Sequence, residues 1–83
     1  MEQYWMIARS VTYAQRMERM LMAAGIRTRI FRAPRDLSNL GCAYAVEVTG
    51  GALRSALSIL RSAGLYPAKL YLLQQGKYVE ISL

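Results

Sequence analysis

Leu21-Met22-Ala23-Ala24-Gly25-Ile26 returns 39 positions later as Leu60-Arg61-Ser62-Ala63-Gly64-Leu65. Ala-Gly followed by an aliphatic residue reads as a helix stop, because glycine readily takes the left-handed conformation that ends a helix. Upstream of the first stop, Val11, Ala14, Met17, Met20, Leu21 and Ala24 recur at helical spacing, with Gln15, Arg16, Glu18 and Arg19 mainly on the other side. Ser10 stands where an N-cap belongs. Upstream of the second stop, Gly50-Gly51 leads into a helix whose inner face is Leu53, Ala56, Leu57, Leu60 and Ala63.

Strand-like segments flank both helices. Tyr4 to Arg9 precedes the first and Ile26 to Phe31 follows it, while the 39-residue offset lays Tyr4 to Arg9 over Ala43 to Val48 and makes Leu65 to Leu73 the fourth strand. Two βαβ units in succession predict one α+β domain over residues 1–83, a ferredoxin-like split βαβ (βαββαβ). Its antiparallel sheet has the order 4-1-3-2, with both helices on one face and the other face left for water, a partner or a ligand. Lys77 to Leu83, after a turn at Gln75-Gly76, predicts an extra C-terminal edge strand beside the fourth.

A chain of 83 residues buries only about 60–65% of its unfolded surface. Its 54% apolar content therefore leaves room for homo-oligomerisation. The net charge of +6 comes from nine arginines and two lysines against five carboxylates, spread along the chain, and favours anionic partners. No apolar run approaches the roughly 20 residues of a spanning helix, and Met1-Glu2-Gln3 lacks the basic start of a secretory signal. The expectation is a cytoplasmic protein with no membrane contact. One cysteine allows no internal disulfide and agrees with a reducing compartment.

The chain contains no histidine, which removes Ser-His-Asp and Cys-His nucleophile pairs and imidazole metal sites. Glu2, Glu18, Asp36, Glu47 and Glu80 fall on different elements, so no acid/base pair forms in sequence, and Gly50-Gly51 matches no phosphate-binding spacing. Neither a metal nor a cofactor is expected. The five methionines read as packing residues.

The segment Arg32-Ala33-Pro34-Arg35-Asp36-Leu37-Ser38-Asn39-Leu40-Gly41-Cys42 is longer than the two to five residues a hairpin usually takes. In the split βαβ plan it lies at the sheet end where the first strand gives way to the first helix, which predicts Cys42 near Ser10, Val11 and Thr12. A helix amino end favours an anion, and Arg9 and Arg35 would add charge, so a thiol placed there gains thiolate character. The alternative is a buried Cys42 acting as a small apolar residue.

Two motifs carry a resemblance. Ser10, Ala14 and Glu18 form Ser-x-x-x-Ala-x-x-x-Glu at the opening of the first helix, and Pro34, Arg35, Ser38, Gly41 and Cys42 form a Pro-Arg-x-x-Ser loop closing on glycine and cysteine. Over about the first 50 residues the chain resembles the selenium/sulfur carrier-like family of small prokaryotic domains. The family order is Cys then Gly, whereas here Gly41 precedes Cys42. The resemblance implies that Cys42 holds sulfur or selenium as a persulfide or selenopersulfide, with Ser10, Pro34, Arg35, Ser38 and Gly41 around it. It also implies protein donors and acceptors of the chalcogen, and a carrier or binding domain rather than a turnover enzyme.

Two other readings stand beside it. An interaction or regulatory module would use the open sheet face for homo-oligomerisation, with Tyr4, Trp5, Tyr44, Tyr66, Tyr71 and Tyr78 as aromatic surface. A nucleic-acid module would present Arg27, Arg29 and Phe31 from one face of the second strand, opposite Ile26, Thr28 and Ile30. The segment Leu40 to Glu47 fits the RNA-recognition octamer poorly, lacking its leading basic residue and two of three aromatics.

Overall fold

The computed structural model describes residues 2–37 and 43–82. Both repeat units stop as their sequence predicts, with Gly25 at φ +81° and Gly64 at φ +74°. The following N–H reaches back to the leucine that heads each repeat, Ile26 to the Leu21 carbonyl at 2.9 Å and Leu65 to the Leu60 carbonyl at 2.8 Å. This Schellman closure satisfies carbonyls that a helix end otherwise leaves open. The helices so ended are α1, Val11–Ala23, and α2, Leu53–Ser62. Ser10 caps α1, its Oγ accepting the Tyr13 N–H at 3.1 Å, while α2 is entered through a 3-10 turn at Gly50–Ala52.

Among the described residues five strands, β1 Gln3–Ala8, β2 Arg29–Arg32, β3 Tyr44–Thr49, β4 Lys69–Gln74 and β5 Lys77–Ile81, form one antiparallel sheet in the order β2-β3-β1-β4-β5. Read from the β5 edge, the order 4-1-3-2 lies within it. The architecture is α+β, with a fifth strand extending the four-strand plan.

Side-chain alternation divides the sheet into two faces. On one, Met6, Ala8, Val46, Val48 and Leu70 pack against Ala14, Met17 and Leu21 of α1 and Ala56 and Leu60 of α2. On the other, Trp5, Ile7, Ala45 and Tyr71 gather with Leu37, Ala43 and, less deeply, Phe31 and Leu73. That second face is largely covered by its own side chains, Trp5 and Tyr71 being only 7% exposed. It is less open than the sequence suggests. Within β2, Ile30 faces the helices and Phe31 the other side, as the alternation predicts.

Several boundaries and faces differ from expectation for identifiable reasons. Ile26 and Leu65 are spent closing the helix ends, so β2 begins at Arg29 and β4 at Lys69. Pro67, which has no N–H to donate, also sits in the segment read as the start of the fourth strand. Val11 and Met20 are 40% and 39% exposed, and Ala24 and Ala63 are exposed, because α1 packs only through the narrow stripe Ala14-Met17-Leu21 and the two alanines are C-caps. Met6 and Met17 are core residues, whereas Met22 is exposed. The 39-residue offset holds for the helix ends but slips in the strands. Met6 faces the helices, whereas Ala45, 39 positions on, lies on the opposite face, and Met6 pairs with Val46. The strand is thus displaced by one residue from the helix-end repeat, and a one-residue displacement changes faces in an element of period two.

Candidate functional site

The long segment between β2 and β3 is positioned by the ladder on either side of it. Ala8 and Arg32 both pair with Tyr44, and one step further the Ala33 N–H donates to the Ala43 carbonyl at 2.9 Å. Both ends of the loop therefore stand at the sheet end where β1 passes through Arg9 and Ser10 into α1, as the topology predicts. Ser38, Gly41 and Cys42 lie outside the described residues.

The first half of the loop is fastened to the sheet face away from the helices. A 3-10 turn, Arg35–Leu37, forms with the Leu37 N–H donating to the Pro34 carbonyl at 3.1 Å. The Leu37 side chain is buried among Trp5, Ile7, Ala45 and Tyr71, and the Tyr71 hydroxyl donates to the Leu37 carbonyl at 2.7 Å in a buried bond. Pro34 is half-buried, and Arg35 and Asp36 are exposed. Ser10 belongs to the helix layer and the Leu37 turn to the opposite layer. The sheet therefore lies between the two.

The helix motif has a packing explanation at two of its three positions. Ser10 supplies the cap, and Ala14, fully buried, lets α1 approach the sheet closely; Glu18 is half-buried. Sequence reading overlooked Tyr13, whose hydroxyl accepts the Tyr66 N–H at 2.7 Å and ties the start of α1 to the segment before β4. Arg9, Tyr13, Tyr66, Pro67 and Ala68 line a cleft of about 430 Å³. The available signal was the Tyr66-Pro67 pair inside a segment read as strand. The cleft offers a guanidinium and phenol groups beside the end of β1, chemistry suited to a small anionic group.

On the face away from the helices, the basic and aromatic groups are engaged with one another. The Trp5 indole donates to Glu47 Oε2 at 2.7 Å, and Arg29 Nε pairs with Glu47 Oε1 at 3.2 Å. The Phe31 ring meets Trp5 edge to face with centroids 4.7 Å apart, and Tyr78 lies 4.9 Å from Trp5. The Arg29 guanidinium sits 5.0 Å above Phe31. Base stacking on this face would have to displace contacts already made. Among the described residues no group of three His, Cys, Asp or Glu could hold a metal ion, and no helix is long and apolar enough to cross a membrane.

The fold defines a small α+β domain in which the described ends of the β2–β3 loop, Ala33 and Ala43, stand at the sheet end where β1 gives way to α1. The family described as "Putative Se/S carrier protein-like" matches residues 3–72, a span reaching well past the loop into β4. The chain belongs to this family. No curated protein and no solved structure matches it.

Proposed function

We propose that the protein carries sulfur or selenium on the Cys42 thiol, on a sheet of ferredoxin-like connectivity, and exchanges it with partner proteins. The observation that carries this reading is the family match across residues 3–72, which includes the whole cysteine loop. The loop's anchoring supports it. The Ala33–Ala43 bond holds the two arms of the loop at the end of β1, and the Tyr71–Leu37 bond fastens Leu37, the last described residue before 38–42, to the face away from the helices.

The chemistry needs little apparatus, which suits a chain without histidine. The Cys42 thiolate attacks the outer sulfur of a donor protein's persulfide; the new Sγ–S bond forms as the donor's S–S bond breaks, and the donor leaves as a thiolate. No net oxidation occurs, and selenium in place of the outer sulfur gives a selenopersulfide by the same balance. In this reading the start of α1 at Ser10, with Arg9 and Arg35, favours the anionic sulfur electrostatically, and Pro34, Ser38 and Gly41 are the other residues of the loop motif assigned to the site.

Mass spectrometry of protein isolated without reductant tests the proposal. The expected result is added mass of one or more sulfur or selenium atoms, discharged by a thiol reductant and lost in Cys42→Ala. Incubation with a persulfide donor that leaves wild-type mass unchanged, with Cys42 unreactive toward an alkylating probe, would remove the carrier role.

A further inference from the structure

The five strands of the described residues leave the sheet two edges, and the edges are built differently. The β2 edge reads Arg29-Ile30-Phe31-Arg32 with Arg27 just before it, a strand with basic residues and no acidic residue of its own. The β5 edge reads Lys77-Tyr78-Val79-Glu80-Ile81, with one charge of each sign and no proline. Its first four residues are exposed and Ile81 is half-buried. Its inner side pairs with β4, and its outer side pairs with no strand among the described residues. We propose that this edge is a self-association surface, through which a second copy of the chain extends the sheet by antiparallel β5–β5 pairing.

The hairpin fixes the register. Gln75 and Gly76 have φ of 50° and 77° and join Gln74 directly to its partner Lys77. Such a tight turn closes with the Lys77 N–H on the Gln74 carbonyl. Bonded and unbonded pairs alternate along an antiparallel ladder. Lys77, Val79 and Ile81 therefore turn their backbone groups toward β4, and Tyr78 and Glu80 turn theirs outward. The register that uses both outward residues sets Tyr78 opposite Glu80 of the second copy, twice, about a twofold axis at Val79.

Side chains agree with that register. Val79, 46% exposed, meets its own equivalent in an unbonded pair, where side chains come closest. Tyr78, whose ring lies against Trp5, stands opposite Glu80, and Lys77 stands opposite Ile81, so no like charges oppose each other. Val79 shares its face with Ile81, which helps line an apolar cleft of about 400 Å³ with Leu53, Leu57 and Leu70. The apolar strip buried by pairing thus continues into the groove beside α2.

A contact of one short strand belongs to the small, transient class of interfaces, so association is to be read by sedimentation equilibrium over about 10 μM to 1 mM chain. The expected result is a monomer–dimer equilibrium, weakened about tenfold or more in Val79→Lys, where two ammonium groups face each other. The β4–β5 hairpin survives that change because position 79 is exposed, which the far-UV spectrum and melting temperature check. A second variant reads the register itself. In a Cys42→Ser background, Val79→Cys forms a disulfide-linked dimer under mild oxidation and Lys77→Cys does not. A chain monomeric up to 1 mM, a dimer indifferent to Val79→Lys, or equal cross-linking from both cysteine positions would overturn the proposal.

Discussion

On the helix side of the sheet, Met6, Val46, Val48 and Leu70 interlock with Met17, Leu21 and Leu60, whereas on the far side Trp5, Ile7, Ala45 and Tyr71 are closed in by one turn of loop and by one another's rings. Among the described residues, seven of the eight largest fully buried side chains belong to the first cluster, and Ile7 alone to the second. The far side relies instead on amphipathic rings that each find a polar partner, Trp5 on Glu47 and Tyr71 on the Leu37 carbonyl. The difference separates two jobs. Burial of aliphatic surface under α1 and α2 supplies most of the stability, while the aromatic face fixes where the cysteine loop begins.

The harshest test of that division is a cavity under the helices. Leu60→Ala is expected to cost about 2–5 kcal/mol, a large part of the roughly 5–10 kcal/mol such a domain has. Urea unfolding should show the midpoint fall with little change in slope. Tyr71→Phe keeps the ring and deletes only the hydroxyl, leaving the buried Leu37 carbonyl unpaired at a cost of about 1–3 kcal/mol. Its signature is local: amide exchange at Leu37 should rise more than exchange in α1 or α2. A Tyr71→Phe loss equal to that of Leu60→Ala, spread over the whole chain, would break the comparison.

The helix side was legible in the sequence because it is periodic. Ala14, Met17 and Leu21 announce one stripe, Ala56 and Leu60 the other, and Gly25 and Gly64 mark both ends. The far side was not, because its cover comes from a turn with no period. Nothing in Pro34-Arg35-Asp36-Leu37 says that Leu37 folds back onto Tyr71, 34 residues away in sequence. Arg29 and Phe31 were correctly placed on one face, yet their alternation could not reveal that Glu47, opposite Arg29 on β3, neutralises the cation. At the candidate site, the end of the sheet followed from strand order. The tie between Tyr13 and Tyr66 joins residues 53 positions apart and leaves no local pattern.

Glu47 offers the finest probe of how the far side is held, since it serves Trp5 and Arg29 at once. In Glu47→Gln the amide oxygen can still accept the indole N–H, so only the ion pair is lost. Arg29 is 69% exposed on its side chain and Glu47 only 11%. Solvent around the guanidinium keeps the pair weak, and the expected loss is about 0.2–1 kcal/mol. That loss should shrink as salt is raised toward about 1 M, where charges are screened within roughly 3 Å. A double-mutant cycle with Arg29→Met should return a coupling of the same small size. A loss several times larger, insensitive to salt, would mean that the part-buried Trp5 bond needs the carboxylate's charge, and that the far side draws its order from that one charge-assisted bond rather than from its rings and the Leu37 turn together.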